Sequence, residues 1–222
     1  MIVRSYFAVL LLCTSTLVTE SVTSRNGNIL YIDGSGRERQ ITSGHDDRDP
    51  SLSPDGQHIV FVRASKTEPS PIHPKETRIL VSELWYADQS GRMQPAVIFR
   101  GSVMPPDGRP LTVFSSPQFS PGDKYVFFLA EFSATSDALC RLDVSRHRAS
   151  FLTGGAIQYA VLTNGGHRGR MIASMRTTPT HPEGGYFYPF YLLDAQGRRL
   201  RRIADESADL RSLVRQYSSS SR

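Results

Sequence analysis

The sequence predicts an all-β fold, a β-propeller of four-stranded antiparallel blades with a short C-terminal helix. Three observations predict it: a strand–turn–strand unit recurs, a second strand unit alternates with it, and segments rich in proline and glycine separate the units. Such self-similarity at a fixed period indicates a stack of equal structural units. The chain of 222 residues holds about three and a half to four such blades.

The first unit occurs at residues 49–62 and returns at 116–129. Its motif residues are Asp49, Pro50, Ser53, Pro54, Asp55 and Gly56 in one copy, and Pro117, Ser120, Pro121, Gly122 and Asp123 in the other. Proline presets the first turn position, and Gly or Asp accepts the unusual φ of the next ones. A weaker third copy begins at Tyr159 and leads into residues 171–175. Each copy therefore predicts a hairpin.

The second strand of each hairpin is apolar at every position in residues 59–62 and 126–129. A strand with two buried faces has this pattern, whereas a strand with one solvated face alternates. These strands are therefore predicted to lie between neighbouring sheets.

The second unit is a short apolar strand that ends in aspartate, at Asp33, Asp88, Asp143 and Asp194. The spacings between these residues are 55, 55 and 51. A polar turn and another strand follow each aspartate. Two hairpins per period give one four-stranded antiparallel blade.

Three segments, residues 64–78, 101–110 and 177–188, are long and rich in Pro, Gly and polar residues. Such composition is typical of loops. We expect these insertions to cluster at the rims of the blades, where propellers bind their ligands.

The run from Gln40 to Gly56 resembles the repeat of TolB-type propellers, which also occurs in the propeller domains of prolyl-oligopeptidase-like enzymes. The resemblance covers residues 28–204 and implies a scaffold for protein partners in the cell envelope. Leu52 and Phe119 replace the usual tryptophan, and the second turn reads Gly122-Asp123 in inverted order. The chain has no room for the N-terminal α/β domain of TolB, so we expect a small, divergent relative or a fragment.

Residues 1–24 have the layout of a secretory signal peptide, with Arg4, a short apolar run and a small polar segment. Cleavage after Ser21 or Ser24 fits, and predicts a periplasmic or secreted protein without a stable membrane span. Lipidation of Cys13 is disfavoured because Leu12 stands where a small residue is normal. Once the signal peptide is removed, Cys140 is the remaining cysteine, and we expect it to lie in the core.

The predicted domains are the signal peptide at 1–24, the propeller at 25–204 and a helical or disordered tail at 205–222. An incomplete ring would expose an apolar blade face. Three solutions stay open: strands from both ends share a blade, two half-rings self-associate, or the tail caps the open side. The tail helix would use Leu210, Leu213, Val214 and Tyr217.

Two clusters are candidate sites. His45, Asp46 and Asp47 have metal-ligand side chains, although Asp in such a loop commonly caps turns. His181, Tyr186 and Tyr188 lie in an aromatic insertion and are candidate binding anchors, although packing on a neighbouring blade explains them equally well.

The net charge of +5 comes from 23 Arg and only 3 Lys, a ratio that favours a codon bias over anion binding. Four Arg lie at residues 198, 199, 201 and 202. On a strand their side chains point alternately to opposite faces, so they cannot form one phosphate-binding stripe. They indicate an edge strand protected by charge, and we expect no nucleic-acid partner.

The sequence holds no nucleophile elbow, no zinc motif and no phosphate loop, and we expect no cofactor.

The resemblance implies a binding module with a protein partner in the envelope, and we expect this function. The alternatives are a propeller-fold enzyme, a hydrolase or lyase acting on an envelope glycan or peptide, and a truncated fragment without function. The propeller fold hosts both enzymes and binding modules, so the fold alone does not decide.

Overall fold

The computed structural model describes residues 19–43, 46–69, 78–177 and 185–220. Blade 1 has the strands β1 (Ser21–Arg25), β2 (Asn28–Ile32) and β3 (Glu38–Gln40), paired in that order. Blade 2 has β4 (Asp47–Leu52), β5 (His58–Pro69), β6 (Arg78–Asp88) and β7 (Ala96–Phe99), also in chain order. By its position in the repeat, β2 matches β6. Within the described residues, blade 1 therefore has no counterpart of β4.

Blades 3 and 4 share a strand, which joins them into one sheet of seven strands. Their strands are β8 (Phe114–Phe119), β9 (Tyr125–Ser133), β10 (Ser136–Asp143), β11 (Arg148–Val161), β12 (Met171–Met175), β13 (Phe190–Leu193) and β14 (Arg199–Ala204). The first part of β11 pairs with β10 as the outer strand of blade 3. From Ala156 onward it pairs with β12 as the inner strand of blade 4. The chain thus passes from one blade to the next without a separate connection.

Apolar layers fill the space between successive blades. Ile59 and Phe61 of β5 pack towards blade 1, whereas Val60 and Val62 pack towards blade 3. Phe127 and Leu129 of β9 likewise face blade 4, whereas Val126 and Phe128 face blade 2. The second strand of each hairpin is buried on both faces, as its apolar sequence predicts.

The repeated Ser-Pro turns share their side-chain hydrogen bond but differ in backbone at one position. Ser53 Oγ accepts a hydrogen bond from the His58 amide at 2.9 Å, and Ser120 Oγ accepts one from the Tyr125 amide at 3.0 Å. Gly56 and Asp123 take the equivalent position with φ of 75° and 59°. Aspartate tolerates this left-handed backbone better than most side chains. The inverted second turn also has a positive φ at Gly122, of 85°, where Asp55 of the first copy has none.

The repeated aspartates also have a structural role. Asp33 Oδ1 accepts from the amides of Ser35 and Arg37, and Asp194 Oδ1 accepts from the amides of Gln196 and Arg198. The carboxylates of Asp88 and Asp143 accept from turn amides in the same way. This shared turn explains the regular spacing of the motif.

The predicted tail helix is α1 (Leu210–Ser219), and it begins with the Asp209 side chain accepting a hydrogen bond from the Ser212 amide. Leu213 and Tyr217 are buried against Leu162, Ile172 and other residues on the outer face of blade 4. Of the three open solutions, the helix cap is the one that the structure contains. The strands of blade 1 form a sheet of their own, so the two chain ends share no blade within the described residues.

The all-β propeller fold with about four blades is confirmed. Residues 59–62 and 126–129 lie in different sheets, as radial stacking requires. β14, which contains three of the four Arg, is the edge strand of its sheet, as these charges predict. No helix within the described part of the chain is long and apolar enough to cross a bilayer.

Candidate functional site

The three insertions start and end on the same face of the blades. Because the strands run antiparallel, the turns after β4 and β6 lie at one end of blade 2, and the connections after β5 and β7 lie at the other. The first predicted insertion is wrong over residues 64–69, which continue β5, so it is reduced to the connection between β5 and β6. Residues 177–188 connect β12 to β13, and residues 101–110 follow β7. We call this end the insertion face and the opposite end the turn face.

A groove of about 490 Å³ opens on the insertion face between blades 3 and 4. Its walls include the rings of Phe132 and Phe151, whose centroids lie 5.9 Å apart. Gly154 and Gly155 form part of the floor, and Arg176 stands at one end. A Cβ on Gly154 would lie 2.8 Å from Phe132 Cε1, so the glycine makes room for this ring.

Two of the predicted rim residues lie beside this groove. Tyr186 is 49% exposed, and the Arg176 guanidinium lies 4.1 Å from the centroid of its ring. The Tyr188 hydroxyl donates to the Thr135 carbonyl at 3.1 Å, which ties the insertion of blade 4 to blade 3. His181 lies outside the described residues. The sequence patterns gave no reason to single out Arg176, because its partners come from distant positions.

Two carboxylates lie opposite each other on β9 and β10 of blade 3, near the groove. Glu131 is the register partner of Asp137. Burial, with a smaller contribution from the charge of Glu131, raises the pKa of Asp137 to about 6. A carboxyl group with this pKa changes its protonation within about one pH unit of neutrality.

Replacing Asp137 by Asn is expected to stabilise the protein at pH 7 and above, by about 1 to 3 kcal/mol. The folded pKa lies above the unfolded value of 3.8, so the folded state binds more protons between these two values. The free energy of unfolding of the wild type should therefore fall as pH rises from about 4 to about 7. Urea unfolding of the wild type and of Asp137→Asn at several pH values between about 4 and about 7 tests this prediction. A wild-type profile as flat as that of Asp137→Asn would contradict the assignment.

The two candidate metal ligands that the structure describes, Asp46 and Asp47, lie in different environments. Asp47 is buried, and its carboxylate accepts from Arg63 Nε at 2.6 Å and Nη2 at 2.9 Å. The Arg63 guanidinium also lies 4.0 Å from the Trp85 ring. Asp46 is exposed, and His45 lies outside the described residues. Among the described residues, no group of three or more potential ligands converges on one point.

A second cavity of about 530 Å³ lies on the insertion face of blade 2. Its lining includes Glu83 and Arg100, whose carboxylate and Nε atoms are 2.6 Å apart. Trp85 Nε1 donates to the other carboxylate oxygen at 2.9 Å. Despite burial, the hydrogen bonds from Arg100 and Trp85 hold the pKa of Glu83 below its usual value. Glu83 therefore stays ionised in this site.

The inner strands of neighbouring blades are linked by polar contacts near the axis. Asp49 and Ser116 both have left-handed backbone before a proline, with φ of 51° and 52°. Asp49 Oδ2 accepts from the Ser116 amide at 3.2 Å, and the Tyr159 hydroxyl donates to the Ser116 carbonyl at 2.6 Å. These motif residues thus hold the blades in register.

No protein-family model matches the chain, and no curated protein matches it. Among solved structures, it is similar to the β-propeller domain of the Trilobed protease from Pyrococcus furiosus, with 16% identity and a TM-score of 0.48 over 81% of this chain and 49% of that one. TolB from Acinetobacter baumannii has 17% identity and a TM-score of 0.49 over 86% and 44% of the two chains. A putative TolB from Agrobacterium tumefaciens has 12% identity and a TM-score of 0.35 over 84% and 78%. The chain spans about half the length of the first two.

Proposed function

We propose that this propeller module works by binding a protein partner, and that the partner docks on the insertion face. The observation that carries the proposal is that all three insertions start and end at one end of the blades, where a groove with aromatic walls also opens. Loops on a rigid scaffold are where binding surfaces are usually built.

The groove between blades 3 and 4 suits an extended peptide segment. Phe132 and Phe151 offer an apolar slot, and Arg176 offers a cation at its end. Tyr186 and Met104 add exposed apolar surface, with 49% and 57% of their area accessible. Exposed aromatic and Met side chains around a groove are typical anchors of protein interfaces.

The proposed location is the periplasm or the extracellular medium, after removal of an N-terminal signal peptide. This proposal rests on the sequence of the first two dozen residues. Residues 1–18, with Cys13, lie outside the described part of the chain. Ser21 and Ser24, the two proposed cleavage positions, lie within β1, which pairs with β2. Cleavage after Ser24 would remove most of this strand, and cleavage after Ser21 would keep most of it.

The test is site-specific photo-crosslinking in the natural cell envelope, with a benzoylphenylalanine at position 186 on the insertion face. Position 93 is the matched control, because Met93 is similarly exposed, at 43%, but follows β6 on the turn face. We expect one discrete protein adduct from position 186 and none from position 93.

The captured protein is then purified and its affinity measured. Tyr186→Ala and Arg176→Ala should each weaken binding at least about tenfold, as for anchors at the centre of an interface, whereas Met93→Ala should not change it. Equal binding by all variants, or an adduct from position 93 alone, would show that the insertion face is not the docking surface.

A second candidate function is supported by the pairing of Glu131 with Asp137, whose pKa of about 6 suits a general acid. In this case the protein would hydrolyse a glycan or peptide of the envelope, with Asp137 as the acid and Glu131 as the base. Release of soluble fragments from purified envelope material tests it. Asp137→Asn and Glu131→Gln should both abolish release, and release by the variants at the wild-type rate would exclude it.

A further inference from the structure

Arg100 and Glu83 form the polar centre of the cavity on blade 2, and neither is singled out by the sequence motifs. The Glu83 side chain is 5% exposed, whereas that of Arg100 is 67% exposed. The pair thus has a fixed, buried anion and a cation that lines open space.

The hydrogen bonds orient the guanidinium. Arg100 Nε donates to Glu83 Oε1 at 2.6 Å, and Nη2 lies 3.5 Å from Oε2. Glu83 itself is held by Trp85 Nε1. One edge of the guanidinium is therefore engaged, and the two N–H groups of Nη1 lie away from that edge. A preoriented Arg loses less entropy when it binds an anion.

Four hydroxyl residues line the same cavity, at Ser65, Ser82, Ser102 and Thr112. The Ser65 hydroxyl is hydrogen-bonded to Glu83. Ser82 is fully buried, with its Oγ accepting from Arg48 Nη2 at 3.1 Å. Ser102 and Thr112 are therefore the hydroxyl groups that can face a ligand. Hydroxyl and guanidinium donors at one place match the oxygen atoms of an anion. The planar fork of Arg fits a carboxylate in particular.

We propose that this cavity binds a carboxylate group of the protein partner, with Arg100 as the contacting residue and Glu83 as a positioning residue. The proposal rests on the proposed binding function and names the chemistry that the partner must present. About 530 Å³ exceeds the volume of one carboxylate, so residues next to the acidic group would also enter the cavity.

The experiment is an NMR titration of the ¹⁵N-labelled chain with three acetylated tripeptides. One is trialanine with a free C-terminus, the second is its amide, and the third is Ala-Glu-Ala amide, which has a side-chain carboxylate. We expect saturable shifts of the Gly101, Ser102 and Thr112 amides with at least one of the two peptides that carry a carboxylate. The one that binds identifies the source of the group, and the trialanine amide should cause no such shifts.

Arg100→Gln should weaken this binding at least fivefold. Glu83→Gln should weaken it less, and should cause no further loss in an Arg100→Gln background, because a positioning residue acts through the guanidinium whereas a merely structural role would lower the affinity in either background. Arg37→Gln is the matched control: Arg37 Nε also pairs with a carboxylate, Asp33, at 3.0 Å, but on the turn face. Arg100 is largely exposed, so its variant should fold as the wild type does.

Equal shifts from all three peptides, or the same affinity in Arg100→Gln and wild type, would overturn the carboxylate site. This result is separate from the docking experiment, because the tripeptides need no partner. If the tripeptides fail but the captured protein still requires Tyr186, only the carboxylate site is wrong. If the tripeptides bind but no protein is captured, the protein-binding function is wrong, and with it the proposal that the carboxylate comes from a protein partner.

Discussion

Phe128→Ala is expected to lower the free energy of unfolding by about 3 to 5 kcal/mol. Phe128 has no exposed surface and lies in the layer between blades 2 and 3. Its ring centroid is 5.1 Å from that of Phe114 in an edge-on contact and 6.4 Å from that of Phe99. The truncation leaves a cavity bounded by strands of two blades, which cannot collapse without moving one blade. Urea unfolding monitored by the fluorescence of Trp85 measures the loss.

Leu200→Ala is the control for this prediction, because Leu200 is 47% exposed on the edge strand β14. It should change the free energy of unfolding by no more than about 0.5 kcal/mol. A loss below about 1 kcal/mol for Phe128→Ala would contradict the packing of blade 2 on blade 3 through this layer.

The sequence predicted those parts of the fold that depend on local chemistry. The apolar strand at residues 126–129 needs two buried faces wherever it lies, and the Ser120-Pro121 turn makes its contacts within a few residues. The same holds for the aspartates that accept from turn amides, and for Leu213 and Tyr217 on one face of α1. In each case the pattern in the sequence is also the physical cause of the structure.

The parts that escaped prediction depend on partners far apart in the chain. Asp47 was a candidate metal ligand, but Arg63 engages its carboxylate across the β4–β5 pair. Glu83 lies within an apolar strand, and its cation, Arg100, follows the next strand. The long strand β11 contains Gly154-Gly155, a pair that also suits a loop. Register and side-chain direction decide these contacts, and neither follows from local patterns.

Leu213→Asp is expected to release α1 from blade 4 and to cost at least about 3 kcal/mol, because it buries a charge without a partner. Leu213 is 8% exposed and packs with Tyr217 on Ile172, Phe190 and Leu192. Each blade of a stack buries its faces only against its neighbours, so a terminal blade needs a cap. Without the helix, the outer face of blade 4 becomes an open apolar surface. Light scattering coupled to size-exclusion chromatography should then show self-association or soluble aggregate.

Arg211→Asp on the same helix is the matched control, because Arg211 is exposed and lies in the first turn, where an acidic residue is favourable. It should leave the mass in solution and the free energy of unfolding unchanged within about 0.5 kcal/mol. A Leu213→Asp variant as stable as this control, with the same mass, would show that the blades hold together without the cap. In that case α1 would not stabilise the propeller, and the stability of the outer face of blade 4 would need another explanation.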